Sequence, residues 1–405
     1  MSDGVSKPLD GVRVIAFTGF LLGPAAAQYL ADMGASVVKI EEPTTGPFER
    51  SWSGADTFVN GVSVLFMLAH RNVRSVAIDL KSSEGADIAR RLCAEADVVV
   101  ANFKPGVLER LGLGPDDLRR DNERLVYASA SGFGEKSEVR HLPGQDLLLQ
   151  AASGMLSVTG NLETGPVAAG SAIVDQHAAS LLAMGILAAL VQQRTTGRGT
   201  TVDLTMLHAA LDLQLEPFTY HLNGGNISRP ARPLGSTFHP APYGIYAVAD
   251  GHIVISLTPM SVLGAALGTP ASFEPYLDLD LALSQRDAIY EVVAAVLRTR
   301  SRDELVASLR AAGVWCAPVN DYSQLLEDDI YTVSSPVESV RHPDAGEVRL
   351  LRPPVRFDGK YLTANAQAPR LGEHTAEELA VLGISPDEIE DLRSRGVIRV
   401  FVDDR

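Results

Sequence analysis

Cysteine is almost absent. Cys93 and Cys316 are the only two in 405 residues and stand far apart, so neither a disulfide framework nor a CxxC metal site is expected. Excess positive charge is also missing: 35 lysines and arginines face 50 acidic residues, for a formal net charge of −15. A nucleic-acid binder needs a basic face to displace counterions, so no nucleic-acid partner is expected. A small phosphorylated ligand stays open, because it needs only a few local cations. Long hydrophobic runs are lacking as well. The longest apolar-rich stretch, Ala178 to Val191, is 14 residues and is interrupted by Ser180 and Gly185. A bilayer needs about 20, so the stretch reads as a buried helix and no membrane partner is expected. The start, MSDGVSKPLD, is polar and without the apolar core of a signal peptide, which leads to a cytoplasmic expectation.

Several catalytic signatures are missing too. There is no Walker A loop, no HExxH and no GxSxG, and the nine histidines show no metal-ligand spacing. His70, His177 and His208 each fall in or beside a predicted element and read as surface or core residues. The glycine fingerprint of a dinucleotide site is reduced to Gly19 and Gly23.

What is present is ordinary globular material, 46% hydrophobic and 21% charged, enough for two or three domains. Val12 to Phe17 reads as a buried parallel strand, Ala25 to Met33 as a helix and Val37 to Ile40 as a second strand. The alternation continues with strands at 76–80, 97–101, 125–130 and 201–204, and helices at 85–96 and 176–194. Alternating strands and helices imply an α/β fold with a mostly parallel sheet. Residues 224–244 are rich in glycine, proline and serine and read as a linker. A hairpin turning at Ala249-Asp250-Gly251 and helices at 284–299 and 302–312 then suggest a smaller α+β domain. The expected division is 1–224 with 326–405 as the large domain and 225–325 as the small one. Near the end, Thr375 with Glu378 and Ser385 with Glu388 both fit the capping box, and Gly396 suits a helix end.

Two places carry candidate chemistry. Asp175 stands just before the longest apolar helix. It fits a helix N-cap, and it equally fits a nucleophile, because a helix N-terminus keeps a carboxylate ionised. Asn102-Phe103-Lys104-Pro105-Gly106 follows a buried strand, where ligands of open parallel sheets bind. Phe103 suits an adenine, and Lys104 and Arg110 suit phosphates, with Arg71 and Arg74 as further cations. Each of these residues also reads as an ordinary turn or surface group.

Beyond single residues, the chain resembles the class III CoA-transferases, the family of formyl-CoA transferase, carnitine CoA-transferases and the methylacyl-CoA racemases. The resemblance runs nearly end to end. Its stations are LDGVRVIAFTGFLLGP (9–24), ADMGASVVKIEEP (31–43), HRNVRSVAIDLK (70–81), ADVVVANFKPGVLERLGLG (96–114), RLVYASASGFG (124–134), PGQDLLLQAASGMLSVTG (143–160), TGRGTTVDLTML (196–207), YGIYAVADGHIVIS (243–256) and RLGEHTAEEL (370–379).

The resemblance implies a CoA-transferase with Asp175 as nucleophile. It implies CoA contacts at Leu21 and Leu22, between His70 and Arg74 with Asn72 and Arg74 foremost, and at Asn102, Phe103 and Lys104. Further contacts fall at Arg110, Leu111 and the run Leu142 to Gln145, Gln145 above all. It implies no permanently bound cofactor, acyl-CoA and a carboxylic acid as substrates, and an interlocked homodimer. Formyl-CoA transferase has glutamine where this chain has Leu21, arginine at Glu42 and tyrosine at Gln145, and a run of glycines with no counterpart near Gly235. Formate and oxalate are therefore not the acids expected.

Three rivals are weighed against transfer. A racemase of the same fold needs an imidazole where this chain has Gln145, and an amide does not exchange protons near neutral pH. An NAD-linked dehydrogenase lacks its glycine fingerprint. A non-catalytic CoA-binding protein would show no thioester exchange.

Overall fold

The computed structural model describes residues 7–362 and 366–403; residues 1–6, the start of the polar N-terminal run, lie outside the described residues. The chain divides into two compact units. The first lies within Met1–Leu149, Ala172–Ala210 and Ser335–Arg405, and the second within Gln150–Ser171 and Leu211–Ser334. The span 225–325 expected for a small domain falls inside the second unit, which also takes 150–171, 211–224 and 326–334.

The first unit is built on β1 (Arg13–Phe17), β2 (Ser36–Glu41), β3 (Val73–Ile78), β4 (Val98–Ala101), β5 (Val126–Ser131) and β6 (Thr201–Thr205). In space they run β3-β2-β1-β4-β5-β6, all parallel, with the short strand Ile398–Arg399 antiparallel beyond β3. The chain builds outward from β1 in one direction, returns and builds outward in the other. The strand order therefore reverses between β1 and β4, and the carboxyl ends of these two strands are where open parallel sheets bind their ligands.

The strand sequences explain the arrangement. Val14 to Phe17 and Val98 to Ala101 are buried, as strands covered on both faces must be. One face packs α2 (Ser83–Ala94) and the C-terminal helices around Ile15, Val38, Val76, Val99 and Leu92. Against β5 and β6 pack α4 (Ile173–Thr196) and, beside it, α1 (Leu22–Asp32). Leu182 and Ile186 of α4 are fully buried, each contributing about 1.5–3 kcal/mol of hydrophobic stabilisation. With 24 residues, α4 is longer than expected and is the one described helix long and apolar enough to cross a bilayer; one face of it packs on β5, β6 and α1 while Met184 and Val191 stay exposed.

Two local expectations are corrected. Asp175 does not precede α4 as its N-cap but sits in the first turn, and Ala172 occupies the cap without a side-chain bond. Thr375 does not cap its helix either. Its hydroxyl accepts from the Ala77 amide, and Glu378 is drawn to Arg13 and Arg74. The second capping box, Ser385 with Glu388, forms as expected, and Gly396 takes the left-handed φ of a helix end.

The second unit is α+β. β7 (Gly244–Val248) and β8 (Gly251–Ile255) form the expected hairpin through Ala249 and Asp250, and β9 (Cys316–Pro318) extends the sheet. α5 (Arg286–Leu297) and α6 (Arg302–Ala311) complete a core around Tyr246, Ile253, Leu263, Phe273 and Leu305.

Candidate active site

The carboxyl edge of the large sheet collects most of the candidate residues of the first unit. After β1 the chain turns through Thr18–Leu21 into α1, with Leu21 half-buried and Leu22 buried. After β4 comes Asn102, whose side chain accepts from the Gly19 amide at 2.9 Å and donates to the Gly19 carbonyl at 2.9 Å. Asn102 thus ties the two loops together at the point where the strand order reverses.

Gly23 makes this approach feasible. A Cβ there would stand 2.6 Å from the Asn102 side chain. After β5, Gly132 meets Gly144 so closely that a Cβ on either would stand 2.6 Å from the other's Cα. That contact brings Gln145 and Asp146 to the same edge. Gln145 is exposed and immediately precedes α3 (Asp146–Ala152).

Asp146 is the residue that sequence reasoning missed. Its Oδ1 accepts from the amides of Val174 at 2.7 Å and Asp175 at 3.0 Å, so it satisfies the open N-terminus of α4 from 28 residues away in sequence. The nearby signal was the acid following Pro143-Gly144, which locally reads as a first-turn acid of its own helix.

Asp175 is half-buried, and burial followed by the Asp146 carboxylate pushes it up from 3.8 to about 6. The expectation of a strongly ionised group at a helix end is thus tempered by desolvation and a like charge. Near neutral pH most molecules still carry the carboxylate, with raised basicity.

The other predicted contacts divide into two groups. Lys104 and Arg110 are exposed beyond β4 and form no ion pair with a described residue. Phe103 and Leu111 pack onto the core, Phe103 edge-on to Phe17 at 6.5 Å, so the ring is committed in part to the fold. Asn72 and Arg74 lie elsewhere, at the amino end of β3. Asn72 donates to Asp32 at the end of α1, and Arg74 is bound to Glu377 and Glu378. Arg71, buried, clasps Asp32. The exposed cation at the carboxyl end of β3 is Lys81, another residue not singled out from sequence.

His70 is buried, stacked on Phe66 at 4.1 Å and bonded through Nδ1 to the Phe66 carbonyl. Burial and the nearby Lys39 hold it well below the usual histidine range, so it is a neutral core residue. Among the described residues no group of His, Cys, Asp or Glu has the arrangement of a metal site.

Comparison with known proteins places the whole chain in one family. Residues 9–375 match CoA-transferase family III. The chain is 30% identical to the succinyl-CoA:glutarate CoA-transferase of Mus musculus, over 97% of this chain and 90% of that protein. It is 31% identical to the succinyl-CoA–D-citramalate CoA-transferase of Chloroflexus aurantiacus, over 97% and 98%. The crystal structure of Rv3272 from Mycobacterium tuberculosis superposes with a TM-score of 0.81 at 28% identity, covering 92% of this chain and 99% of that one.

Proposed function

The chain belongs to CoA-transferase family III, and from that premise we propose that it carries CoA from an acyl-CoA to a free carboxylic acid on Asp175. The observation that carries this reading is a half-buried aspartate of raised basicity, in the first turn of an apolar helix and held there by Asp146.

A carboxylate oxygen of Asp175 attacks the thioester carbonyl; the C–S bond breaks, leaving a mixed anhydride and CoA thiolate. The thiolate attacks the aspartyl carbonyl, releasing the first acid and forming an aspartyl-CoA thioester. The incoming carboxylate attacks that thioester, giving a second anhydride and thiolate. The thiolate then takes the new acyl group and restores Asp175. No net proton moves, and the acyl activation survives only where water is excluded.

Lys81, Lys104 and Arg110 are the cations proposed for the phosphates. Arg74 is withdrawn from that role because its guanidinium is already neutralised by two glutamates. The relatives' names make succinyl-CoA with a five-carbon dicarboxylic acid the first pair to test. Racemisation is not favoured. The relatives are named for CoA transfer, and Gln145 offers no exchangeable proton donor near neutral pH.

The test is direct. Incubation with succinyl-CoA should leave CoA on the peptide containing Asp175, read by mass spectrometry. Asp175→Ala should fold and lose transfer by roughly three orders of magnitude or more, as expected on removing a covalent nucleophile. Near wild-type transfer in that variant would remove the mechanism.

A further inference from the structure

The loop that follows β1 is held in an uncommon manner. Four successive backbone groups, from the Thr18 carbonyl to the Phe20 amide, are all bound by side chains rather than by backbone. Lys39 Nζ donates to the Thr18 carbonyl at 2.7 Å. Asn102 takes the amide and carbonyl of Gly19. Glu49 Oε2 accepts from the Phe20 amide at 3.2 Å. Glu49 Oε1 in turn accepts from Lys39 Nζ at 3.0 Å, and both side chains are 1% exposed.

The same loop is strained. Phe20 has φ of 62°, in the left-handed region that a bulky residue rarely enters, and its side chain is 67% exposed. A buried ion pair is a poor device for stability, because desolvation offsets most of its attraction. An apolar pair of the same size would fill the space, but it could not bond a carbonyl and an amide of the loop. His70, whose Nε2 is 3.9 Å from Glu49 Oε1, stays neutral and does not compete as a cation.

We propose that Lys39 and Glu49 are positioning residues that hold the Thr18–Leu21 loop, before any substrate arrives, in the shape that receives the acyl-CoA. The inference rests on the CoA-transfer reading, since it assigns the loop to the thioester's binding crevice. A preformed loop binds without an ordering cost at the moment of binding. The strain at Phe20 persists because Lys39, Glu49 and Asn102 over-determine the loop.

The decisive variant is the double substitution K39M/E49Q. It removes both buried charges together, so no unpaired ion is left behind. It keeps an oxygen for the Phe20 amide but releases the Thr18 carbonyl. The expected result is a melting temperature close to wild type, with succinyl-CoA affinity by titration calorimetry weakened about ten-fold. KM for the acyl-CoA should rise with it, while KM for the acceptor acid stays within about two-fold. A purely structural pair would lower the active fraction, hence kcat, and leave both KM values alone.

Hydrogen exchange on the unliganded wild type gives an independent reading. The Gly19 and Phe20 amides should already be protected without substrate, and free-loop exchange rates there would overturn the proposal. So would wild-type affinity in K39M/E49Q. If the wild type binds no succinyl-CoA at all, the CoA-transfer reading fails first, and amide protection alone then decides whether the loop is held.

Discussion

At the scale of single residues, the central relation is between two carboxylates. Asp175 is pushed up to about 6, first by burial and then by Asp146. Its folded value lies above its ordinary value, so the fold favours the protonated form. That contribution to stability is present at low pH and is lost as pH rises through about 6. Asp175→Asn should therefore raise stability at pH 8 by on the order of 1–2 kcal/mol, read as a higher melting temperature, and do so less at pH 5. Transfer needs the carboxylate, so its acid limb should fall near pH 6. Asp146→Asn keeps an oxygen for the Val174 and Asp175 amides but removes the like charge. The limb should then move down by roughly half to one pH unit, with burial still holding it above the ordinary range. A limb that stays in place would mean the two carboxylates do not communicate.

At the scale of elements, the parallel sheet was legible because buried strands such as Val98 to Ala101 leave unbroken apolar runs between helices of 3.6 periodicity. Asp175 was singled out through the family pattern, while its helix position was misread by about one turn. Asp146, Lys39 and Glu49 were not legible. Their partners lie 28, 21 and 29 residues away, and no local period records a contact of that kind. Arg74 was misplaced for a related reason. The motif fixes its place in the chain, but only the parallel register of β3 with β2 shows it at the amino end of its strand. This yields a contrast between edges. Lys104→Ala and Arg110→Ala should each weaken CoA binding by about 1–3 kcal/mol, as for charge-assisted hydrogen bonds, and less so in high salt. Arg74→Ala should leave CoA affinity unchanged while lowering stability, because it strands buried Glu378 with one guanidinium fewer. Equal losses of affinity in all three variants would show that the phosphates are not at the carboxyl edge.

At the scale of the whole molecule, several helices present large apolar side chains to solvent. Helix Leu215–Leu222 has no buried residue, and Leu215 and Leu222 are 68% and 66% exposed. Helices Tyr322–Glu327 and Asp329–Ser334 likewise bury nothing and present Tyr322, Ile330 and Val333 to solvent. Met184 and Val191 do the same on α4. Where such side chains form a continuous face, another chain commonly covers it, and burial gains about 25 cal/mol for each Å² of apolar surface removed from water. Closed two-fold assemblies are the commonest way to cover identical patches on identical chains. The expected species is a homodimer, whose mass by light scattering is twice 43.2 kDa. If the two chains are threaded through each other, as the family resemblance implies, dilution should release no monomer short of unfolding, because separation would require a chain end to be withdrawn. A reversible monomer at nanomolar concentration would leave a dimer joined only by its surfaces, and Leu215→Glu or Leu222→Glu should then be enough to split it.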